Sequence, residues 1–192
     1  MRITGGIHCG RKLKAPPSLA VRPTQDRVRE ALFSMLAGAF PRLVFLDLFA
    51  GSGAVGFDAL SRGADEVVWV EADRRNCSVL AENLSTLGAT GGRIVCADAW
   101  RWVRGPGRNL RADVVFADPP YADAQAIGFG ALMGDLMAGD VVRAGGWFVA
   151  EQPVRMDVPD VPDWELLRDR SYGRTRLVIY RRSDGAHEET HR

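Results

Sequence analysis

Asp118-Pro119-Pro120-Tyr121 holds the residues best suited to chemistry. The stretch follows an apolar run, Ala112 to Ala117, that reads as a buried strand. Two consecutive prolines cannot donate to a strand ladder, so the chain must leave the sheet at Asp118. Each proline also holds the residue before it extended. The product is a stiff turn with a carboxylate at its start and an aromatic ring at its end. The Asp118 and Pro119 carbonyls are left without an obvious helix or strand partner. Such a corner suits the exocyclic amine of a nucleobase, whose lone pair is delocalised into the ring. A carboxylate and a carbonyl that each accept one N–H can draw that lone pair out of the plane, while Tyr121 stacks on the base. The plainer reading is a strand-to-loop turn in which Asp118 caps a helix.

A second group of residues points to a nucleotide-like cofactor. Asp47-Leu48-Phe49-Ala50-Gly51-Ser52-Gly53-Ala54-Val55-Gly56 closes a strand and opens a helix, and Glu71 follows Gly51 by twenty residues. The glycines permit positive φ and close approach of a ligand to the backbone. The stretch satisfies the dinucleotide fingerprint, so an NAD-dependent oxidoreductase is one reading. Asp47 at the strand end would instead suit a cationic amino group, and no well-placed histidine offers a hydride-transfer acid. S-adenosylmethionine accounts for more of these residues. Glu71 would take its ribose hydroxyls, and Asp98 its adenine amine, with the Ala99 N–H beside it. The expected cofactor contacts are Asp47, Phe49, Ala50, Gly51, Ser52, Gly53, Glu71, Ala72, Asp98, Ala99 and Asp118.

The elements that must position these groups follow from periodicity. Apolar runs at 43–49, 66–71, 93–97, 112–117 and 146–151 alternate with helical stretches at about 53–62, 74–87, 98–104 and 124–143. Such alternation predicts an α/β fold with a parallel sheet covered on both faces. Asp47, Glu71, Asp98 and Asp118 then end four successive strands on one edge, where ligands of open α/β sheets bind. Trp164 to Tyr172 and Arg174 to Arg182 flank Gly173 and read as an antiparallel hairpin. Near the start, Gly10 to Lys14 alternates as one strand of a small hairpin. Thr24 is the expected N-cap of a helix whose apolar face is Val28, Ala31, Leu32, Met35 and Leu36. Three segments result: an extension at 1–23, a main domain at 24–182, and a polar tail at 183–192 expected to be disordered.

Composition narrows the classes. The 192 residues suffice for one domain with a sizeable core. No apolar run approaches a membrane span, and no secretory leader is evident. Three widely spaced cysteines and three histidines argue against a disulfide framework or metal site and for the cytoplasm. Net charge is only +1, yet residues 1–42 carry eight Lys/Arg against two acids, a local +6 on a body of −5. That asymmetry fits a polyanionic partner, for which Arg11, Lys12, Lys14, Arg22 and Arg27 are the candidate contacts.

Three stretches together carry a family resemblance. They are Arg2-Ile3-Thr4-Gly5-Gly6 with Gly10-Arg11-Lys12-Leu13, then Arg22-Pro23-Thr24-Gln25-Asp26-Arg27-Val28-Arg29-Glu30, then Asp47 to Gly53 with Ala59-Leu60-Ser61-Arg62-Gly63-Ala64. Over most of residues 2–181 the chain resembles the bacterial 16S ribosomal RNA guanine N2-methyltransferases of the RsmD type. Tyr121 stands where that family often has Phe. The resemblance implies a class I S-adenosylmethionine-dependent methyltransferase fold, Rossmann-like, with a mostly parallel seven-stranded sheet, a C-terminal antiparallel hairpin and a small N-terminal β-hairpin extension. It also implies a guanine of 16S ribosomal RNA in the small subunit, or in its assembly intermediate, as substrate. On this reading the base is flipped towards Tyr121, and Asp118 with the Pro119 carbonyl holds its amine, Pro120 stiffening the turn. No metal is needed, and the enzyme is expected to act as a monomer. The residues alone leave open a DNA adenine or cytosine amino-methyltransferase, the oxidoreductase, and a non-catalytic RNA-binding assembly module.

Overall fold

The structure is a computed structural model that describes residues 1–15, 24–120 and 128–184. Tyr121, Arg22 and the last eight residues lie outside the described residues. The elements in order are α1 (Asp26–Met35), a 3-10 turn (Ala37–Ala39), β1 (Val44–Leu48), α2 (Ala54–Ser61), β2 (Glu66–Glu71), α3 (Arg74–Leu87), β3 (Gly92–Cys96), α4 (Ala99–Arg104), β4 (Ala112–Ala117), α5 (Phe129–Ala138), β5 (Val142–Pro153), β6 (Trp164–Tyr172) and β7 (Thr175–Arg182). The strands form one sheet in the order β3-β2-β1-β4-β5-β7-β6. The first five are parallel, and β7 pairs antiparallel with both β5 and β6.

Alternation along the strands builds two cores. Leu46, Leu48, Val68, Val115 and Phe148 face α4 and α5, where Trp102, Leu132 and Leu136 meet them. Phe45, Val67, Trp69, Val114 and Phe116 face the other way, against Leu32 of α1, Phe57 of α2 and Leu80 of α3. Strands buried on both faces must be apolar throughout, which is why β1, β2 and β4 read as continuous runs.

Three boundaries differ from the sequence pattern. Helix α5 stops at Ala138, because Gly139 and Asp140, the latter at φ 48, turn the chain out of the helix. Strand β5 therefore begins at Val142 rather than 146 and runs for 12 residues. The N-cap of α1 is Gln25, and it makes no side-chain cap. Thr24 is not the cap: its hydroxyl donates instead to Glu151 Oε2 at 2.8 Å. The N-terminal hairpin is reduced to a single antiparallel bridge, Arg2 to Lys12, flanked by Ile3 N–H to Arg11 O at 3.0 Å.

That N-terminal segment is bound into the body. Ile3 and Leu13 are buried in the same core cluster as Leu32 and Phe57. Thr4 N–H donates to Asp58 Oδ1 at 2.6 Å, and Ser61 Oγ donates to Gly5 O at 2.5 Å. Arg29, counted among the basic residues of the arm, is in fact fully buried. Its guanidinium pairs with Asp58, donates to Asp26 Oδ1 at 2.7 Å and Arg2 O at 2.8 Å, and reaches Thr24 O at 3.3 Å and Ala54 O at 3.5 Å. All five of its N–H donors are thus engaged. Burial pushes the Asp58 carboxyl above its ordinary pKa, against the pull of the Arg29 charge and the Thr4 N–H.

Arg29→Met should leave the Asp58 carboxylate buried and unpaired, costing about 3–5 kcal/mol. Chemical denaturation should show that loss, whereas Arg2→Ala, which breaks an exposed pair with Asp26, should cost no more than about 1 kcal/mol.

Candidate active site

The sheet brings the acidic groups to one edge. Strands β1 and β4 are neighbours, with Leu48 opposite Ala117, so the chain leaves them side by side as Phe49 and Asp118. Strand β1 also pairs with β2, whose last residue is Glu71, and Glu71 pairs with Cys96 at the end of β3. Chain direction reverses its sheet order between β1 and β4, the place where a crevice opens above an α/β sheet.

The glycine loop takes the form its residues allow. Gly51 and Gly53 have φ of 53° and 70°. Phe49 also sits at positive φ, 58°, an uncommon conformation for a bulky residue and one that marks functional turns. The third glycine serves packing: a Cβ on Gly56 would lie 2.1 Å from the Trp69 indole nitrogen. Helix α2 can therefore sit close on β2, and Trp69 Nε1 donates to Gly53 O at 3.2 Å.

Two carboxylates hold the loop. Glu71, buried at the tip of β2, accepts the Gly51 N–H through Oε2 and the Asp73 N–H through Oε1, both at 2.7 Å. Asp47 is also buried and accepts the Gly56 N–H at 2.9 Å. Burial raises its pKa well above the ordinary carboxylate range; the Gly56 bond opposes this and the Glu71 charge reinforces it. A cationic partner would be welcomed there. Asp98 is exposed and caps α4, accepting the Arg101 N–H at 2.8 Å. Ala99, the first residue of that helix, is buried, and Ala72 is exposed.

Asp118 is half-buried, Pro119 buried and Pro120 exposed. Asp118 lines a cleft of about 170 Å³ with Gln25, Glu151, Gln152, Pro153, Arg174 and Thr175. A second cleft of about 440 Å³, with Arg155 and Val154, shares Pro153 and Arg174 with it. Sequence reasoning missed Glu151, Thr175 and Arg174. Only the strand order could have found them, since it sets the ends of β5 and β7 beside that of β4. Trp100 was missed too: its ring lies 5.3 Å from that of Phe49, and its indole N–H is buried with no partner among the described residues.

The basic candidates separate. Arg11 donates to Thr86 O at 3.3 Å and Lys14 pairs with Glu82 at 2.6 Å, both on the second half of α3. That half leads back to the start of β3, so these two are held towards the edge opposite Asp118. Lys12 and Arg27 are exposed, and Arg27 stands on the first turn of α1, two residues from Gln25 of the cleft.

The donor set fits S-adenosylmethionine: an acid for an ammonium group, an acid at the β2 tip for two hydroxyls, and an indole N–H beside the loop that has no partner among the described residues. Fold and site together define an S-adenosylmethionine-dependent methyltransferase. A family model described as conserved hypothetical protein 95 matches residues 1–181. Ribosomal RNA small subunit methyltransferase D of Escherichia coli K12 is 36% identical over 189 residues, covering 95% of this chain and 90% of the relative. The protein of that description from Haemophilus influenzae is 39% identical over 186 residues, covering 94% and 92%. A solved E. coli structure described as a candidate methyltransferase is 34% identical, with a TM-score of 0.85 over 96% of this chain and 98% of that one. The chain belongs to this family, the RsmD family. The oxidoreductase reading falls with that finding, because the shared fingerprint serves a different cofactor.

Glu71→Gln would set an amide NH₂ against one of the two backbone N–H groups. An unpaired buried donor costs about 1–3 kcal/mol. Melting should fall by several degrees, and calorimetry should show S-adenosylmethionine affinity weakened about tenfold or more.

Proposed function

We propose that this chain transfers a methyl group from S-adenosylmethionine to the exocyclic N2 of a guanine in 16S ribosomal RNA, within the small ribosomal subunit or its assembly intermediate. The observation that carries the reading is the place of Asp118, at the end of β4 beside the glycine loop and on the wall of a cleft. The cofactor supplies an electrophilic methyl group. Asp47 faces its ammonium group, Glu71 takes its ribose hydroxyls, and Asp98, besides capping α4, accepts from its adenine amine. Phe49, Ala50, Gly51, Ser52, Gly53, Ala72 and Ala99 line the same site.

Asp118 and the Pro119 carbonyl each accept one amine hydrogen of the target base. Both sit on a turn whose two prolines restrict the backbone, so the amine is oriented before it reacts. Orientation of this kind supplies much of the rate in a bimolecular transfer. Tyr121 stacks on the base, which leaves the RNA helix to enter. Asp118 also takes the proton that the amine loses.

The RNA assignment rests on the family's named relatives and on the chain's surface. Lys12 and Arg27 form no ion pair among the described residues, and Arg174 stands where the cleft meets solvent. These cations would grip phosphates, positioning the RNA without reading its sequence. Arg11 and Lys14, whose charges also meet the α3 surface, are secondary contacts. Residues 1–23 act as an extension of the 24–182 domain, and one copy of the chain suffices. No helix among the described residues is long and apolar enough to cross a membrane. We place the enzyme in the cytoplasm, with its substrate.

Labelled-methyl transfer to unmethylated small subunits, with digestion and mass analysis, should yield N2-methylguanosine. N6-methyladenosine or N4-methylcytidine in DNA or RNA would overturn the assignment. Asp118→Ala should lose transfer by at least about a hundredfold while S-adenosylmethionine binding survives. Replacing Lys12 and Arg27 by Ala should weaken RNA binding and lower the slope of log affinity against log salt by about 2.

A further inference from the structure

The turn at Asp118 explains how an aromatic amine is activated; it does not explain why guanine is chosen. Adenine and cytosine also carry exocyclic amines. In both, the amine is flanked by a ring nitrogen with a free lone pair on the Watson–Crick side. In guanine the amine is flanked on that side by N1–H, a donor. A base reader that selects guanine must therefore place a hydrogen-bond acceptor next to the amine site, where the competing bases present another acceptor.

The structure has such a group. Ala117 of β4 pairs with Ala150 of β5, so Glu151 comes next to Asp118 at the same sheet edge. Both line the cleft of about 170 Å³. Glu151 is half-buried, which strengthens its hydrogen bonds relative to a fully solvated carboxylate. Its Oε2 accepts the Thr24 hydroxyl at 2.8 Å, fixing the orientation of the carboxylate from outside the cleft. Gln152, the next residue, also lines the cleft, but it is buried and its amide NH₂ is committed to Met156 O and Asp157 O at 3.3 Å. Of these two neighbours on the cleft, Glu151 is the carboxylate and so the stronger acceptor. Gln25 and Thr175, on the same cleft, carry the N–H and O–H donors that guanine O6 requires.

We propose that Glu151 is the guanine-reading residue, accepting N1–H of the target base while Asp118 and the Pro119 carbonyl hold N2. The Thr24 hydroxyl positions Glu151, which gives Thr24 a role in base choice. The proposal rests on the guanine N2 reading of the site. It adds the rejection of bases that present a lone pair at the N1 position, since a carboxylate facing a lone pair is repelled and leaves both groups unpaired.

The test uses the full-length enzyme and small subunits assembled on 16S RNA in which the methylated guanine, once located, is replaced by 2-aminopurine. That base keeps the C2 amine but has an acceptor at N1. The wild-type enzyme should prefer guanine by about ten- to a hundredfold in kcat/KM. Glu151→Gln can offer its amide NH₂ to N1, so it should lose guanine activity and gain on 2-aminopurine, shifting the ratio by at least about tenfold. The absent O6 handicaps both enzymes alike, so the change in ratio reports N1. S-adenosylmethionine affinity should be unchanged in the variant, which shows that it is folded. Thr24→Val should relax the same preference in a milder form. An unchanged ratio in Glu151→Gln, or equal use of both bases by wild type, overturns the proposal. Failure of wild type to methylate guanine at all overturns the underlying reading instead.

Discussion

The join between the N-terminal segment, α1 and the helix that follows the glycine loop depends on the enclosed charge of Arg29. Its five donors hold together three pieces of chain: the backbone at Arg2, the 24–26 segment that leads into α1, and helix α2 through Ala54 and Asp58. Helix α2 is the helix that the glycine loop opens. A guanidinium taken out of water is tolerated only where each N–H finds an acceptor, so its partners are fixed in place as strictly as it is. The clamp therefore sets where α1 begins, and with it where Gln25 and Thr24 meet the wall of the cleft.

The sheet acts as a ruler for the rest. Parallel pairing of β3, β2, β1 and β4 carries Asp98, Glu71, Asp47 and Asp118 to one edge. Three of these acids have their orientation set by backbone N–H groups close by: Gly51 and Asp73 for Glu71, Gly56 for Asp47, Arg101 for Asp98. Fixed donors hold an ionisable group without spending side-chain entropy of their own, and this suits a site that must be formed before its ligand arrives.

What was legible in the sequence follows from range. Strands β2 and β4 and helix α3 were readable to the residue, because apolar period, turn chemistry and caps are local signals. The Asp118 turn was readable because proline acts on its immediate neighbours. The Arg29 clamp was not: an arginine one turn into a basic arm looks like a surface cation until the fold brings Asp58 to it. Thr24 misled for the same reason, since its partner, Glu151, is 127 positions away. The wall of the cleft opposite Asp118 belongs to β5 and β7, whose place beside β4 is a property of strand order alone.

Ile3 and Leu13 share one apolar cluster with Leu32 and Phe57, so the N-terminal segment is a wall of the building rather than a handle on its door. Enzymes that borrow a tethered module to find their RNA can exchange it whole for another. This architecture forbids such an exchange, because lifting the segment away would flood the interior. Lineages that redirect the enzyme to a new target must do so one exposed side chain at a time, over a backbone they are obliged to keep.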